Sequence, residues 1–535
     1  MRRLTFMVAL VTGTLLIILG LAFSGEFAQA QDRSSAKYAG TRECGSCHAS
    51  TVRALRDSRH ALALQDVGRN KQAILGDFSQ DDDVRMIRFP GEDSARPVTA
   101  GDIAYTVGAG RYVQRYLYQV ERNVYAVLPV EWNVSEGRWQ PYQLAEAWPD
   151  PAYDWGLNCA GCHTTGLDIT TGRWKDDGVQ CETCHGPGDA HAKVASRAGR
   201  RPNAEELVEI RQSIASGTDA QLCGQCHSRG QAVDSLHAFP TAYLPGQTDL
   251  LDAFALVGDD DPSLWWPTGQ ARGNNMQFNE WLQGGHSQAL LTLQESDYQE
   301  ASCLTCHSAD QAYRQRVIAA HEAGDRRGDA PEPLTLAEAQ SGITCISCHN
   351  PHLKTPADFN LIDEPYTLCV SCHSSAGPDN LHHPVREMYE GITIIPEIEG
   401  RPTSHFTQEG GPTCTTCHMA RVPVETYTLA SHSMRPVMPE AAIDVEGLVD
   451  SCTTCHEQQV TAELMQRLID DVQFDTQVRL DAARQAVSDS SANWVKLALD
   501  FVEGDGSRGI HNYAYSDALL DAVEAELGLN ASGSK

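Results

Sequence analysis

Basic residues and long apolar runs are both scarce in this sequence. Its 41 lysines and arginines are outnumbered by 71 aspartates and glutamates, which gives a formal net charge of −30. Such a charge disfavours binding to nucleic acid or to an anionic lipid surface. Beyond residue 23 no segment is apolar enough to span a bilayer, which excludes a polytopic membrane protein.

The sequence also lacks any cysteine outside one repeated pattern. All 18 cysteines fall in nine pairs, each with a two-residue gap and each followed directly by histidine. A disulfide framework gives no reason for the histidine. A zinc site needs four convergent ligands, but not one that always follows the second cysteine. Because histidine fills only 20 of 535 positions, nine such neighbours are not a coincidence.

Cys-x-x-Cys-His is the attachment motif of c-type haem. The two thiols bond to one porphyrin, and the histidine that follows lies under the iron as its proximal ligand. The sequence therefore predicts nine covalent haems. The predicted attachment cysteines are Cys44, Cys47, Cys159, Cys162, Cys181, Cys184, Cys223, Cys226, Cys303, Cys306, Cys345, Cys348, Cys369, Cys372, Cys414, Cys417, Cys452 and Cys455. The predicted proximal ligands are His48, His163, His185, His227, His307, His349, His373, His418 and His456.

Eleven histidines lie outside the motifs, which is enough to give every iron a second ligand. The candidate distal ligands are His60, His191, His237, His286, His352, His382, His383, His405, His432 and His511. The eleventh, His321, is the weakest candidate. His352 follows its motif so closely that we expect it to serve a neighbouring iron. Met419 and Met434 are alternative thioether ligands.

The N-terminus has the pattern of an export signal. Two arginines precede an apolar run that ends at Phe23, and Ala28-Gln29-Ala30 is a small-residue cleavage site. We expect cleavage after Ala30, although Leu4–Phe23 is long enough to anchor an uncleaved chain. Either outcome places the folded part outside the cytoplasm, in the periplasm or at the cell surface.

We expect a mainly α-helical, loop-rich fold wrapped around a chain of haems. Residues 111–142, rich in β-branched and aromatic side chains, predict a small antiparallel β insertion. Apolar spacing of three and four after the last motif predicts long helices. The predicted divisions are a signal peptide at 1–30, a haem 1 region with the β insertion at 31–155, haems 2–4 at 156–235, a haem-poor connector at 236–300, haems 5–9 at 301–456 and C-terminal helices at 457–535.

Several stretches resemble known multihaem cytochromes. "YAGTRECGSCH", "CAGCHTTG", "GVQCETCHGPGDAH" and "CGQCHSRG", within residues 38–300, are similar to cytochromes related to the tetrahaem electron acceptor of hydroxylamine oxidoreductase. "CISCHNPH" and "YTLCVSCHSS" resemble the doubled-CXXCH motif. The tail, with "GIHNYAYSDALL", is similar to the C-terminal part of octahaem hydroxylamine oxidoreductases and pentahaem nitrite reductases. In those families the histidine of the His-Asn pair is an axial ligand, which implies this role for His511.

The chain departs from those enzymes in two respects. It has no CxxCK motif of the nitrite-reductase kind, and nothing marks Tyr513 or Tyr515 as the cross-linking tyrosine of hydroxylamine oxidoreductase. We therefore predict an extracytoplasmic nine-haem cytochrome that carries electrons, with no catalytic residues. Two alternatives stay open. One is a multihaem oxidoreductase of nitrogen or sulfur compounds with one open iron, and the other is a structural subunit of a redox complex or cytochrome filament.

The acidic charge, which haem propionates would increase, favours redox partners with basic docking patches. We expect no nucleic-acid partner, and membrane contact only through an uncleaved N-terminal segment. A homo-oligomer or filament stays open. Two acidic runs, Asp81–Asp83 and Asp259–Asp261, could bind calcium, although acidic surface loops are the commoner explanation.

Overall fold

A computed structural model describes residues 36–144, 147–324, 330–352, 358–375, 381–425 and 427–529. The predicted signal peptide and its cleavage site lie outside these ranges. Within them, no helix combines the length and the apolar character that a bilayer span requires.

Most of the helices are short and are joined by loops, as the sequence predicts. The helical turns that carry the nine motifs are Thr41–Cys44, Ala160–His163, Cys181–His185, Gln221–Gly224, Leu304–His307, Cys345–Cys348, Pro365–Val370, Cys414–His418 and Thr453–His456. The helices between them are Ala49–Arg56, Trp155–Asn158, Asp189–Ala198, Ala204–Gln212, Leu250–Ala253, Gln277–Leu282, Gly285–Glu295, Ala309–Glu322, Val385–Glu390, Ser404–Thr407 and Pro439–Ala442.

The predicted antiparallel insertion is confirmed and is larger than expected. Its six strands are β1 Leu64–Asp66, β4 Tyr105–Val107, β5 Val113–Glu121, β6 Val124–Val127, β7 Val130–Asn133 and β8 Arg138–Pro141. They pair in the order β1-β4-β5-β7-β8, and β6 also pairs with β5. Asn123 and Gly137, each with a φ of 63°, make the predicted turns. The short strands β1 and β4 escaped prediction because three residues show no clear alternation.

Four two-stranded antiparallel ladders complete the β structure. They pair β2 Met86–Ile87 with β3 Arg96–Pro97, β9 Thr164–Thr165 with β10 Asp176–Asp177, β11 Gly230–Ala232 with β12 Phe254–Leu256, and β13 Arg421–Val424 with β14 Tyr427–Ala430.

One apolar cluster joins the large sheet to the second motif. Leu117 of β5 and Val127 of β6 pack with Trp155 and Phe239. Phe239 lies so close to Gly161, inside the motif, that an added Cβ there would stand 2.1 Å from the ring. Only glycine fits at this point, so the sheet and the motif form one packed unit.

Three C-terminal helices, Ala462–Ala486, Asn493–Gly504 and Tyr513–Leu527, confirm the predicted long helices. Their shared apolar face buries Leu480, Phe501 and Leu519. Arg479 connects the first of them to the third, because its Nε donates to Glu524 at 2.8 Å and its guanidinium also reaches Asp517 and Asp521. This bundle is the scaffold for the loop that carries His511.

The carboxylate of Glu182, inside the third motif, holds the segment that leads into the first motif. Its oxygens accept from the amides of Ala39, Gly40 and Gly188, each at 2.7 Å. The residue is only 2% exposed. Glu182 therefore fixes two motifs that are far apart in sequence.

Replacing this carboxylate tests the connection. Glu182→Ala leaves three amides without their acceptor, so we expect the free energy of unfolding to fall by about 3 kcal/mol. The measurement is chemical denaturation of the haem-loaded protein. The exposed Glu295→Ala is the matched control and should leave stability within about 0.5 kcal/mol. Equal stability of the two variants would contradict the assignment.

Candidate haem sites

Each Cys-x-x-Cys-His motif forms about one helical turn, and we number the sites 1 to 9 in the order of their motifs. At site 1 the amide of His48 donates to the carbonyl of Cys44 at 2.9 Å, and His227 repeats this with Cys223 at 2.9 Å. Positions three apart lie on the same face of a turn, so both thiols can reach one porphyrin. All eighteen cysteines lie in the described residues, and no two of them form a disulfide.

Eight of the nine motif histidines face a second histidine from elsewhere in the chain. The ring centres of these pairs are 5.9–6.3 Å apart. The pairs are His48–His191, His185–His352, His227–His60, His307–His382, His349–His432, His373–His286, His418–His511 and His456–His405. Every second histidine is one that the sequence predicts as a distal candidate.

This spacing fits one iron between two imidazoles. A bond from a metal to an imidazole nitrogen is about 2 Å long, and the ring centre lies roughly 1 Å behind that nitrogen, so two opposed ligands have ring centres roughly 6 Å apart. Rings in direct contact range more widely, over about 4.5–7 Å. The narrow range of ring-centre distances in the eight pairs therefore fits one iron between the two rings of each pair.

Burial keeps several of the imidazoles in the neutral form that binds metals. Burial lowers the pKa of His60, His163 and His432 to about 4. Burial, reinforced by the neighbouring histidines, also lowers the pKa of His373 to about 4. Neutral ligands bind a metal without first losing a proton.

Backbone carbonyls orient many of the rings. Nδ1 of His185 lies 3.0 Å from the carbonyl oxygen of Ala215, and Nδ1 of His307 lies 2.9 Å from that of Ala289. Because a carbonyl oxygen only accepts, these Nδ1 atoms carry the proton and leave Nε2 available for iron. The same contact fixes the direction of each ring.

Site 2 differs from the other eight. Within the described ranges no histidine ring lies opposite His163, whose recorded ring neighbour is Trp155 at 5.9 Å. His237, predicted as a distal ligand, instead places Nδ1 2.9 Å from Ser235 Oγ and its ring 5.1 Å from Phe239. The structure therefore pairs His237 with no motif histidine.

Two further histidines, His321 and His383, belong to none of the eight pairs. His321, the weakest candidate, keeps a buried Nδ1 without a hydrogen-bond partner in the described residues. The ring of His383 lies 4.0 Å from that of His382 and 5.7 Å from that of His373. Ring nitrogens of His307, His382 and His383 all lie within 4.8 Å of one another. Coordination by His383 therefore stays a prediction.

A half-buried cation, Arg115, lies near site 2. The guanidinium of Arg115 stands 4.0 Å from the ring centre of Tyr142, and its Nε donates to Glu131 at 2.8 Å. Burial raises the pKa of Cys159 to about 12, and the charge of Arg115 opposes this rise. The same charge adds to the effect of burial that lowers the pKa of His163. Arg115 thus lies within electrostatic range of site 2, while Glu131 and Glu425 lie within ion-pair distance of its guanidinium.

The sites follow one another in space in an order that differs from chain order. The carboxylate of Glu182, inside motif 3, accepts from the amide of Gly40, just before motif 1, and Cys44 lies in electrostatic range of Cys181, so sites 1 and 3 adjoin. Cys223 is similarly close to Cys345, which joins sites 4 and 6, and it lies in electrostatic range of Cys184 of site 3. Three more pairs of thiols lie within electrostatic range of each other. They are Cys348 and Cys372 of sites 6 and 7, Cys369 and Cys414 of sites 7 and 8, and Cys417 and Cys455 of sites 8 and 9.

Two sites branch from this row. The thiol of Cys162 lies 3.7 Å from the carbonyl oxygen of Gln225, and the thiol of Cys226 lies 3.9 Å from the carbonyl oxygen of Cys162. Site 2 therefore adjoins site 4. Cys306 lies within hydrogen-bonding reach of Cys372, so site 5 adjoins site 7. The row is therefore 1–3–4–6–7–8–9, with site 2 beside site 4 and site 5 beside site 7.

Other candidates take minor parts. Met434 contacts His418 through its carbonyl oxygen, 3.2 Å from Nδ1, and site 8 already holds two histidines. In the described residues neither acidic run gathers three metal-binding groups, since Asp82 pairs with Arg85 and Asp261 accepts from Ser263. Calcium therefore gains no support.

The residues that orient the candidate ligands from a distance were not predicted from the sequence. The buried Glu280 accepts from the amide of His432 at 2.7 Å and thereby fixes that ligand. Asp505 Oδ1 lies 2.7 Å from Nδ1 of His511. Burial alone would lower the pKa of His511, but the hydrogen bond and charge of Asp505 outweigh burial and raise it. Only the short Asp505–His511 separation offered a signal in the sequence.

Two family models match parts of the chain. The doubled CXXCH motif matches residues 337–378, and cytochrome c554 and c-prime matches residues 140–186. Both matches confirm the resemblance found in the sequence and support c-type haem binding. No curated protein sequence matches the chain.

Solved multihaem cytochromes share the fold. The outer cell wall cytochrome OcwA is 29% identical, with a TM-score of 0.72 over 92% of this chain and 99% of that one. The undecahaem cytochrome from the S-layer of Carboxydothermus ferrireducens is 19% identical, with a TM-score of 0.56 over 92% and 70%, a likeness of fold alone. The octahaem sulfite reductase MccA of Wolinella succinogenes reaches only 0.42 at 13% identity, over 92% of this chain and 83% of that one. This last likeness is too low to carry an argument.

The pairing of His352 with site 3 rather than with its own motif is testable. His352→Ala should convert one low-spin ferric iron into a high-spin one, measured by EPR of the oxidised protein. His352→Ala combined with His432→Ala should convert two irons, because the two histidines face different sites. The control His321→Ala should convert none. A double variant that frees a single iron would contradict the pairing.

Proposed function

We propose that the chain is a nine-haem c-type cytochrome that carries electrons along the row of sites 1–3–4–6–7–8–9. The observation that carries this proposal is the set of eight histidine pairs, each spaced for one iron, on motifs whose thiols lie side by side. Adjacent attachment points leave neighbouring porphyrins in close proximity. The likeness to OcwA over nearly the whole chain supports the same conclusion.

The haem iron supplies one-electron redox chemistry when bound, and the protein sets the conditions for it. The histidine pairs would hold eight of the irons from two sides and so leave substrate no position at them. Burial of rings such as those of His60 and His432 would limit the reorganisation of solvent around their irons. The carbonyls that accept from Nδ1 of His185 and His307 would keep these ligands in one orientation. These features favour transfer over chemistry.

We further propose an extracytoplasmic location and a redox partner with a basic docking patch. The chain begins with an export pattern and carries a formal net charge of −30. Opposite charge would steer such a partner towards the chain. The names of two similar structures place those proteins in an outer cell wall and an S-layer. Assembly into a homo-oligomer or filament stays an expectation.

The haem count is directly measurable. The intact mature chain should carry the mass of nine covalent haems after acid–acetone extraction, because all nine motifs form the same turn. Replacing Cys452 and Cys455 by Ala should remove one haem and leave the other eight, since site 9 ends the row. Mass spectrometry of both proteins gives the counts. A wild-type count below nine would overturn the proposed stoichiometry.

One observation favours a second candidate function, the binding of a small ligand at site 2. His163 has no opposing histidine in the described residues, and the cationic Arg115 lies within electrostatic range of it. The sequence predicts a second ligand for every iron, and the structure differs here because His237 turns to Ser235. An iron with one protein ligand could bind a nitrogen or sulfur oxyanion.

Carbon monoxide distinguishes the two functions. The reduced wild type should bind about one equivalent per chain, followed in the Soret band, because one iron has a free position. His237→Ala should leave that number unchanged. If wild type binds none and His237→Ala gains one, His237 is the missing ligand and site 2 serves transfer alone. Uptake of several equivalents would contradict the histidine pairs themselves.

A further inference from the structure

One histidine ligand has a hydrogen-bond partner unlike those of the others. Several of the paired histidines, and His163, have a hydrogen-bond partner for Nδ1 among the described residues. Most of these partners are uncharged. They are the carbonyl oxygens of Ala63, Ala215, Ile210, Ala289, Phe359, Ala430 and Met434, the hydroxyl of Ser213 and the side-chain amide of Gln277. His511 is the exception, because its Nδ1 lies 2.7 Å from a carboxylate oxygen of Asp505.

The carboxylate of Asp505 is buried and fixed. Its side chain is 1% exposed. One oxygen faces His511, and the other accepts from the hydroxyl of Ser507, while the Ser507 hydroxyl oxygen accepts from the amide of His511 at 3.0 Å. Among the described residues, Asp505 has no lysine or arginine within ion-pair distance, so its charge acts on the imidazole without neutralisation.

The loop that holds this arrangement is anchored to the rest of the protein. Residues 505–512 join the helices Asn493–Gly504 and Tyr513–Leu527. The Nδ2 of Asn512 donates to the carbonyl of Met388 at 2.8 Å, and the hydroxyl of Tyr515 donates to that of Ile392 at 3.1 Å. The loop therefore presents His511 to His418, 6.1 Å away between ring centres, in a fixed orientation.

We propose that Asp505 is a positioning residue that lowers the reduction potential of the iron at site 8. A carboxylate acceptor on Nδ1 increases the electron density of the imidazole and makes it a stronger donor to the metal. A stronger donor and a buried negative charge both stabilise ferric over ferrous iron. This inference rests on the proposed haem binding and on the pairing of His418 with His511.

A lower reduction potential at site 8 would affect electron transfer along the whole row. Site 8 stands between sites 7 and 9, so an electron that moves between the ends must pass it. A lower potential there makes reduction of site 8 the less favourable step on the way to site 9. The chain thus contains a residue outside every motif that sets the energy profile of the last segment.

The test is spectroelectrochemical titration of the haem-loaded protein. Asp505→Asn keeps the shape and a hydrogen-bond acceptor but removes the charge, so the potential of one iron should shift to more positive values. Asp505→Glu should keep that potential closer to wild type. The exposed Asp489→Asn, which removes the same charge elsewhere, is the control and should shift nothing. Circular dichroism checks that each variant is folded.

His511→Ala identifies the iron concerned. It should convert one low-spin iron to high spin, and the component it alters in the titration should be the one that Asp505→Asn shifts. If His511→Ala frees an iron but Asp505→Asn shifts no potential, the role of Asp505 is wrong while haem binding stands. If His511→Ala frees none, the ligand assignment on which the inference rests is itself wrong.

Discussion

The opposition of two imidazoles across one position is the constraint on which the rest of the structure depends. Each pair joins a histidine fixed inside a motif to one delivered by a distant segment, as with His227 and His60. A shared iron would tie these segments together as firmly as a covalent link. Loop-rich chain, short helices and scattered apolar clusters are sufficient for a fold that has such ties along its length.

The order of the sites in space follows from the pairing of distant segments and not from the order of the motifs along the chain. Because site 1 lies beside site 3, and site 4 beside site 6, the attachment points form one row with two side branches. The branch at site 2 lies against the six-stranded sheet through Trp155 and Phe239. Site 2, with one histidine and a nearby arginine, lies beside site 4 rather than within the row, so the proposed ligand binding there would not interrupt the proposed transfer along the row.

Much of this arrangement could be predicted from the sequence, because haem attachment depends on a short motif and the helices and strands show clear apolar spacing. Spacing alone identified the motifs, the C-terminal helices and the strands near Trp132. The pool of distal histidines was also predictable, but their partners were not, since pairing is set by contacts between segments far apart. Nothing local in the sequence distinguishes His237 from His60, although only His60 lies opposite a motif histidine in the described residues. Glu280 and Asp505 act through buried hydrogen bonds that leave no periodic signal.

The most direct measurement is an experimental map of the axial ligands of every iron in the haem-loaded protein. The account predicts eight irons, each between the two histidines paired above, and a site 2 iron held by His163 alone on the protein side. It also predicts neighbouring irons in the order 1–3–4–6–7–8–9. A map in which the distal histidines serve other irons, or in which His237 completes site 2, would contradict it.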